Sequence, residues 1–195
     1  MTASRGTVEL LVVANDEFAR RLRLVGHDDW QRPTPCSEWD VRALVNHVVG
    51  ANLRYQLLLH GAPPEQVEAT RTVDHLGDDA LVSFVATADG VVACFHEDGA
   101  LERIAHHATG DRTGRELLSM RILDAAIHAW DLARAIGANE TLDDDVVAFL
   151  LAYTADLDLG AQQPAFAPAD ADVPRNGPPQ AQLLHRLGRH PNITG

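Results

Sequence analysis

One segment constrains this chain more than any other: Gly114 to Ile136, a helical pattern that is apolar nearly all the way round. At about 100° per residue, Leu118, Ile122, Leu123, Ala126, Ile127, Trp130, Ala133 and Ile136 cover most of the wheel. A helix of this kind is expected in the interior of a helical domain. One narrow polar sector interrupts it, holding Arg121, Asp124, His128 and Asp131. Charges seldom sit on a buried helix unless they are paired or bind a metal. The ends are well marked: Thr113-Gly114-Arg115-Glu116 has the form of a capping box, and Gly137 is placed to stop the helix.

The rest of the chain reads as further helices. Val8 to Val25 carries Leu10, Leu11, Ala14, Phe18 and Leu22 at roughly helical spacing. A loop from His27 to Cys36 contains Pro33 and Pro35. Ser37-Glu38-Trp39-Asp40 then looks like an N-terminal cap, with Ser37 as the capping residue, for a helix running to about His60. Gly61 and the Pro63-Pro64 pair end it, and Ala62 to Leu76 reads as a loop. A third helix is expected over Asp79 to His96, weakened by Gly90. Gly99 to Gly114 is either extended or a turn. After the central helix, another is expected over Asp143 to Leu157. Gly160 to Pro179 reads as irregular chain, and Gln180 to Leu187 as a short last helix. The expected fold is therefore all-α and single-domain over residues 1–195, with an irregular Pro-rich tail from 160 to 195 that includes the short terminal helix.

Composition removes several classes of function. The formal charge of −12 opposes nonspecific nucleic-acid binding. No stretch approaches the roughly 20 apolar residues of a membrane span, and Met1 to Gly6 lacks the features of a signal peptide. A cytoplasmic protein with no membrane partner is expected. The basic residues are sixteen arginines and no lysine, which excludes Schiff-base and P-loop lysine chemistry. Two cysteines, Cys36 and Cys94, form neither a disulfide framework nor a CxxC zinc ribbon. Asn192-Ile193-Thr194 matches a glycosylation sequon that a cytoplasmic protein would not use.

Asp124 and His128 are four apart, so they stack on one helical face and can reach a common cation, as the histidines of HExxH helices do. Asp131 or Arg121 is placed to orient such ligands from behind. A third ligand must come from elsewhere, and His47 is the candidate. It lies at the edge of the arc Val41, Leu44, Val45, Val48, Val49 and Asn52, beside the small residues Ala43, Gly50 and Ala51. Spacing alone leaves another reading open. An Asp/His pair four apart is commonly a simple hydrogen bond, and a histidine at a core edge commonly bonds a backbone carbonyl. His106 and His107 compete as ligands. His27, His75, His185 and His190 lie in polar surroundings, and His60 and His96 read as helix-end residues.

Two motifs also resemble a known family. Pro33-Thr34-Pro35-Cys36-Ser37-Glu38-Trp39-Asp40-Val41-Arg42, followed by Leu44-Val45-Asn46-His47-Val48-Val49-Gly50, is similar to actinobacterial proteins of the DinB/YfiT-like superfamily. So are Asp124 and the run His128-Ala129-Trp130-Asp131-Leu132-Ala133. The closest branch is the small metal-binding proteins related to the N-terminal domain of mycothiol-dependent maleylpyruvate isomerase. The resemblance implies a four-helix bundle with additional short helices and a metal held by His47, Asp124 and His128. It also implies a low-molecular-weight thiol such as mycothiol as co-substrate. That branch has a glutamate where this chain has Asp124, and its enzyme has a further C-terminal domain with no counterpart here, so maleylpyruvate isomerisation itself is not expected.

The implied function is a metal-dependent thiol transferase or isomerase acting with a small-molecule thiol and an electrophilic substrate. Zinc is the expected ion, with nickel or iron compatible with the same donors. Arg121 or Arg54 would hold an acidic group of substrate or thiol. Two alternatives stand beside it: a metal-dependent hydrolase, for which Asp131 is the nearest base, and a non-catalytic metal-binding or interaction module. A homodimer is left open. Cys36 is either a redox-sensitive thiol at a helix start or a small packed residue, and Cys94 is read as core. Trp39 and Trp130 either line a pocket or pack.

Overall fold

A computed structural model describes residues 6–155, 157 and 177–189 of the chain. In chain order these form α1 (Thr7–Leu22), a 3-10 turn (His27–Asp29), α2 (Val41–Leu59), α3 (Pro64–Ala69), α4 (Ala80–His96), β1 (Ile104–His107), β2 (Gly110–Thr113), α5 (Gly114–Ile136), α6 (Asp144–Tyr153) and α7 (Pro179–Arg186). Among the described residues the fold is a helical bundle with one two-stranded hairpin. No described helix is long and apolar enough to cross a membrane.

Residues up to Glu140 make one compact unit. Within it α5 packs against α1 and α2, and α4 packs against the same two helices, so the four close into a ring. The all-round apolar surface of α5 is satisfied in this arrangement: Leu118, Ile122, Leu123, Ala126, Ile127 and Ala133 are buried. The core between the helices is built from Phe18, Leu44, Val45, Val48, Phe84, Ala129 and Leu132. From Thr141 a second compact unit follows. There α6 and α7 pack together, and the Arg186 guanidinium donates to the Leu151 carbonyl at 2.9 Å and to Thr154 Oγ1 at 3.1 Å.

The central helix has the boundaries its capping chemistry dictates. Thr113 N–H donates to Glu116 Oε2 at 2.7 Å and Glu116 N–H to Thr113 Oγ1 at 3.2 Å, while Gly137 turns the chain out at φ 70°. Gly90 sits inside α4 because the Gln56 amide of α2 occupies the space that a Cβ would need, with its nearest atoms 2.9 Å away.

Two local readings are corrected and one ambiguity is resolved. The N-cap of α2 is Asp40, whose carboxylate accepts from Ala43 N–H at 2.8 Å, and not Ser37. Residues 36–39 are held instead in a turn, with Trp39 N–H donating to the Cys36 carbonyl at 2.8 Å and Thr34 Oγ1 to the Trp39 carbonyl at 2.8 Å. The loop expected over Ala62 to Leu76 contains α3, which starts at Pro64, a residue whose fixed φ suits a first helical turn. The ambiguous stretch before α5 is the β1–β2 hairpin, in register Ile104 to Thr113. Of the irregular segment expected over residues 160–179, only 177–179 lie among the described residues, and the sequon at Asn192 lies outside them.

Gly114 gives a test of this packing. It opens α5 directly beneath the turn before the hairpin, so a Cβ there would collide with the backbone carbonyl of Ala100. Helix propensity alone favours alanine over glycine. The collision reverses that: Gly114→Ala should lower unfolding free energy by about 1–3 kcal/mol in urea denaturation, the range for overpacking a tight site. A stabilised variant would contradict the described seating of α5.

Candidate metal centre

Three elements bring the polar groups together. Helix α5 stacks Asp124 and His128 one turn apart, α2 presents His47 from the side, and the turn before α2 contributes Cys36 and Trp39. Asp124 Oδ1 lies 3.2 Å from His47 Nε2 and 3.3 Å from His128 Nε2. The second carboxylate oxygen, Oδ2, accepts from Arg121 Nη1. Arg121 is fully buried and is anchored by donating from Nε to Asn52 Oδ1 at 2.9 Å. Among the described residues its remaining Nη2 has no hydrogen-bond partner, and the other two bonds aim the guanidinium.

His128 has a different partner on each ring nitrogen. Nε2 faces Asp124, while Nδ1 lies 3.0 Å from Asp131 Oδ2. Asp131 is fully buried, and the Cys36 thiol donates to the same Oδ2 at 3.3 Å, with its sulfur 3.9 Å from His128 Nδ1. Asp131 therefore fixes the ring so that Nε2 is the nitrogen left to ligate. The Trp39 ring lies 4.5 Å from the His47 ring, centroid to centroid, and limits its rotation.

The electrostatics follow from these contacts. Burial alone would raise the Asp124 carboxyl, but His47, His128 and Arg121 outweigh it and hold it well below the ordinary carboxylate range. Burial opposes a charged His128, yet Asp124 and Asp131 overcome it and hold that imidazole well above its ordinary value. Burial lowers His47, with Asp124 only partly offsetting it, so His47 is held towards its neutral form.

The donor set fits a tetrahedral ion. Around zinc, nitrogen and oxygen ligands at 2.0–2.2 Å stand roughly 3.3 Å from each other. The two donor separations given above match this, and all three ligand atoms lie within 4.8 Å of one another. Among the described residues two other donor groups meet the same limit, namely Cys36, His128, Asp131 and His60, Cys94, Glu97. The first shares His128 through its other nitrogen and centres on the fully buried Asp131. The set containing His47 borders open space: a cavity of about 290 Å³ is lined by Trp39, Ala43, Asn46, His47, Gly50, Arg54, Thr70 and Arg71.

All three residues singled out in the sequence as ligands thus meet, with Arg121 and Asp131 each in direct contact with one of them. His106 and His107 do not join. They lie on the hairpin, with His106 bonded to Asp111 at 2.7 Å and His107 to Thr109 at 2.9 Å. Trp130 is buried under the Arg134 guanidinium, 4.8 Å from its ring centre, whereas Trp39 lines the cavity. His75 is half-buried rather than solvated, with Nε2 2.7 Å from the Thr70 carbonyl. Sequence spacing did not place Cys36 beside His128, nor Arg71 and Thr70 on the cavity wall, because each contact joins residues far apart in the chain.

An ion on Nε2 of His128 must replace the proton held there, so affinity should fall as pH falls. Asp131 aims the other nitrogen. Asp131→Asn should therefore weaken zinc binding about 10- to 100-fold, measured by chelator competition at fixed pH. An unchanged affinity would mean that His128 is oriented without it.

Residues 11–133 match the family described as the mycothiol maleylpyruvate isomerase N-terminal domain. The uncharacterised protein Rv0738 of Mycobacterium tuberculosis (strain ATCC 25618 / H37Rv) is 34% identical over 180 residues, covering 90% of this chain and 93% of its own length. The uncharacterised protein MT0763 of strain CDC 1551 / Oshkosh matches to the same extent. The crystal structure of the mycothiol-dependent maleylpyruvate isomerase superposes with a TM-score of 0.59 at 19% identity, over 75% of this chain and 67% of that one. A histidine-to-alanine mutant of that enzyme gives 0.60 at 18% identity. The chain has the same helical fold and belongs to the mycothiol maleylpyruvate isomerase N-terminal domain family.

Proposed function

We propose that the chain holds one divalent metal ion, zinc in the first instance, through His47, Asp124 and His128, and uses a low-molecular-weight thiol of the mycothiol class to transfer to, or isomerise, an acidic electrophile. The observation that carries this reading is the convergence of the three donors, one of which, His47, lines a cavity whose wall also carries two guanidinium groups, Arg54 and Arg71. The printed name of the solved relatives, a mycothiol-dependent isomerase, supports the thiol class.

Three protein ligands leave a position open on a tetrahedral ion, and a bound cation would supply the Lewis acidity that turns a thiol into a thiolate near neutral pH. The residues do the rest. Asp124 and Asp131 carry two negative charges, and Arg121 carries one positive charge between α5 and Asn52. Adding a divalent ion and removing the His128 proton leaves a net charge of about +1, which an anionic ligand neutralises. Arg54 is buried and pinned by donating from Nη1 to Thr70 Oγ1 at 3.0 Å, so it presents a fixed cationic edge to the cavity. Arg71 stands at the exposed mouth, where it pairs with Glu68 at 2.8 Å. Together they suit a carboxylate on the electrophile, while Trp39 provides an apolar wall. The thiol gives its proton to solvent, its sulfur forms a bond to the β-carbon of an α,β-unsaturated acid as the C=C π bond breaks, and the displaced electron pair on the α-carbon takes a proton from solvent. Rotation about the resulting single bond and reversal of the addition would give the isomer.

The hydrolase alternative needs a base beside a bound water. Asp131, the base that sequence reading offered, is fully buried and already bonded to His128 and Cys36, which disfavours that role. The interaction-module alternative is disfavoured by the open cavity beside His47.

Turnover of mycothiol with an α,β-unsaturated carboxylic acid should require both thiol and metal. Arg71→Ala should raise KM for that acid about 10-fold or more, the loss of one charge-assisted contact, and leave a neutral electrophile unaffected. Metal-dependent hydrolysis without thiol would overturn the transferase reading in favour of the hydrolase.

A further inference from the structure

A second group of donors lies outside the site described above. His60 is the C-cap of α2, Cys94 is in the last turn of α4, and Glu97 is the C-cap of α4. His60 Nε2 is 3.0 Å from Glu97 Oε1 and 3.8 Å from Cys94 Sγ. The three ligand atoms all lie within 4.8 Å of one another. We propose that His60, Cys94 and Glu97 form a second divalent-metal site of the zinc class, which ties the ends of α2 and α4 together.

Four observations carry this. The donor separations approach those around tetrahedral zinc, where sulfur and nitrogen ligands stand roughly 3.6 Å apart and nitrogen and oxygen roughly 3.3 Å. The small adjustments fall on His60 and Glu97, whose side chains are exposed. Glu97 is already oriented from behind: Arg103 Nη1 donates to its other oxygen, Oε2, at 3.2 Å and to the Leu59 carbonyl at 2.7 Å. That is the arrangement that aims a ligating carboxylate, with Oε1 left towards the ion. Two helix C-termini also end here, and their partial negative charge favours a cation. A thiolate among the donors selects zinc-class ions over magnesium or calcium.

The site is distinct from the first. His47 and His60 are thirteen residues apart on one helix, so about 20 Å separates them along its axis. Three protein donors leave one position for water or an outside ligand.

Cobalt(II) titration of the reduced, full-length protein tests the proposal, because a thiolate–cobalt bond gives a near-ultraviolet charge-transfer band that a His/Asp/His site cannot give. The band should appear in the parent chain, persist in Cys36→Ser and His128→Ala, and fall at least tenfold in Cys94→Ser. The exposed Glu97→Gln variant, which leaves the thiol and the core intact, should shift the cobalt midpoint upward at least tenfold. Absence of the band at saturating cobalt in folded parent protein overturns the site. So does a band that survives Cys94→Ser or disappears in Cys36→Ser, or a midpoint that Glu97→Gln leaves in place.

Discussion

The Asp124 carboxylate, held inside a helical bundle, is the constraint on which the rest of the molecule depends. Burying an ionised group is costly unless it is fully partnered. Here each oxygen has its partners: Oδ1 faces His47 and His128, and Oδ2 takes Arg121. Those partners need their own supports, which explains the buried Asn52 on α2 and the buried Asp131 one turn along α5. The polar sector of α5 is therefore one connected network. Its members are set by α5 packing against α2, and that packing is set by the apolar remainder of both helices.

The same network accounts for the chemistry proposed for it. His128 sits between two carboxylates, which hold its imidazole well above the ordinary value, while burial holds His47 below it. A divalent ion would exchange one proton for two positive charges. The arginines on the cavity wall would extend the attraction for anions outwards from a bound ion, and Trp39 packs against His47 on the same wall.

Much of this was legible in the sequence where the signal is local. The capping box at Thr113 and Glu116 and the glycine stop at Gly137 fixed the limits of α5, because both act within one helical turn. The polar sector singled out Asp124, His128, Asp131 and Arg121 as a connected group, because a charge on an all-apolar helix demands a partner. His47 was legible only as a histidine at the rim of an arc beside small residues. What spacing missed depends on contacts between distant segments. Cys36 reaches Asp131 across 95 positions and Cys94 reaches His60 across 34, and no periodicity records either. Ser37 looked like the cap of α2, but the Thr34–Trp39 turn draws the chain in so that Asp40 takes that place. The β1–β2 hairpin is too short and too polar to alternate visibly.

The most direct measurement is anomalous diffraction at the zinc edge from crystals of the zinc-loaded protein. The account predicts a peak bounded by His47 Nε2, Asp124 Oδ1 and His128 Nε2, with each donor about 2.0–2.2 Å away. Zinc on the Nδ1 side of His128 with Cys36 and Asp131, or no peak between α2 and α5 at all, would contradict it and leave Asp124 as the centre of a purely structural charge network.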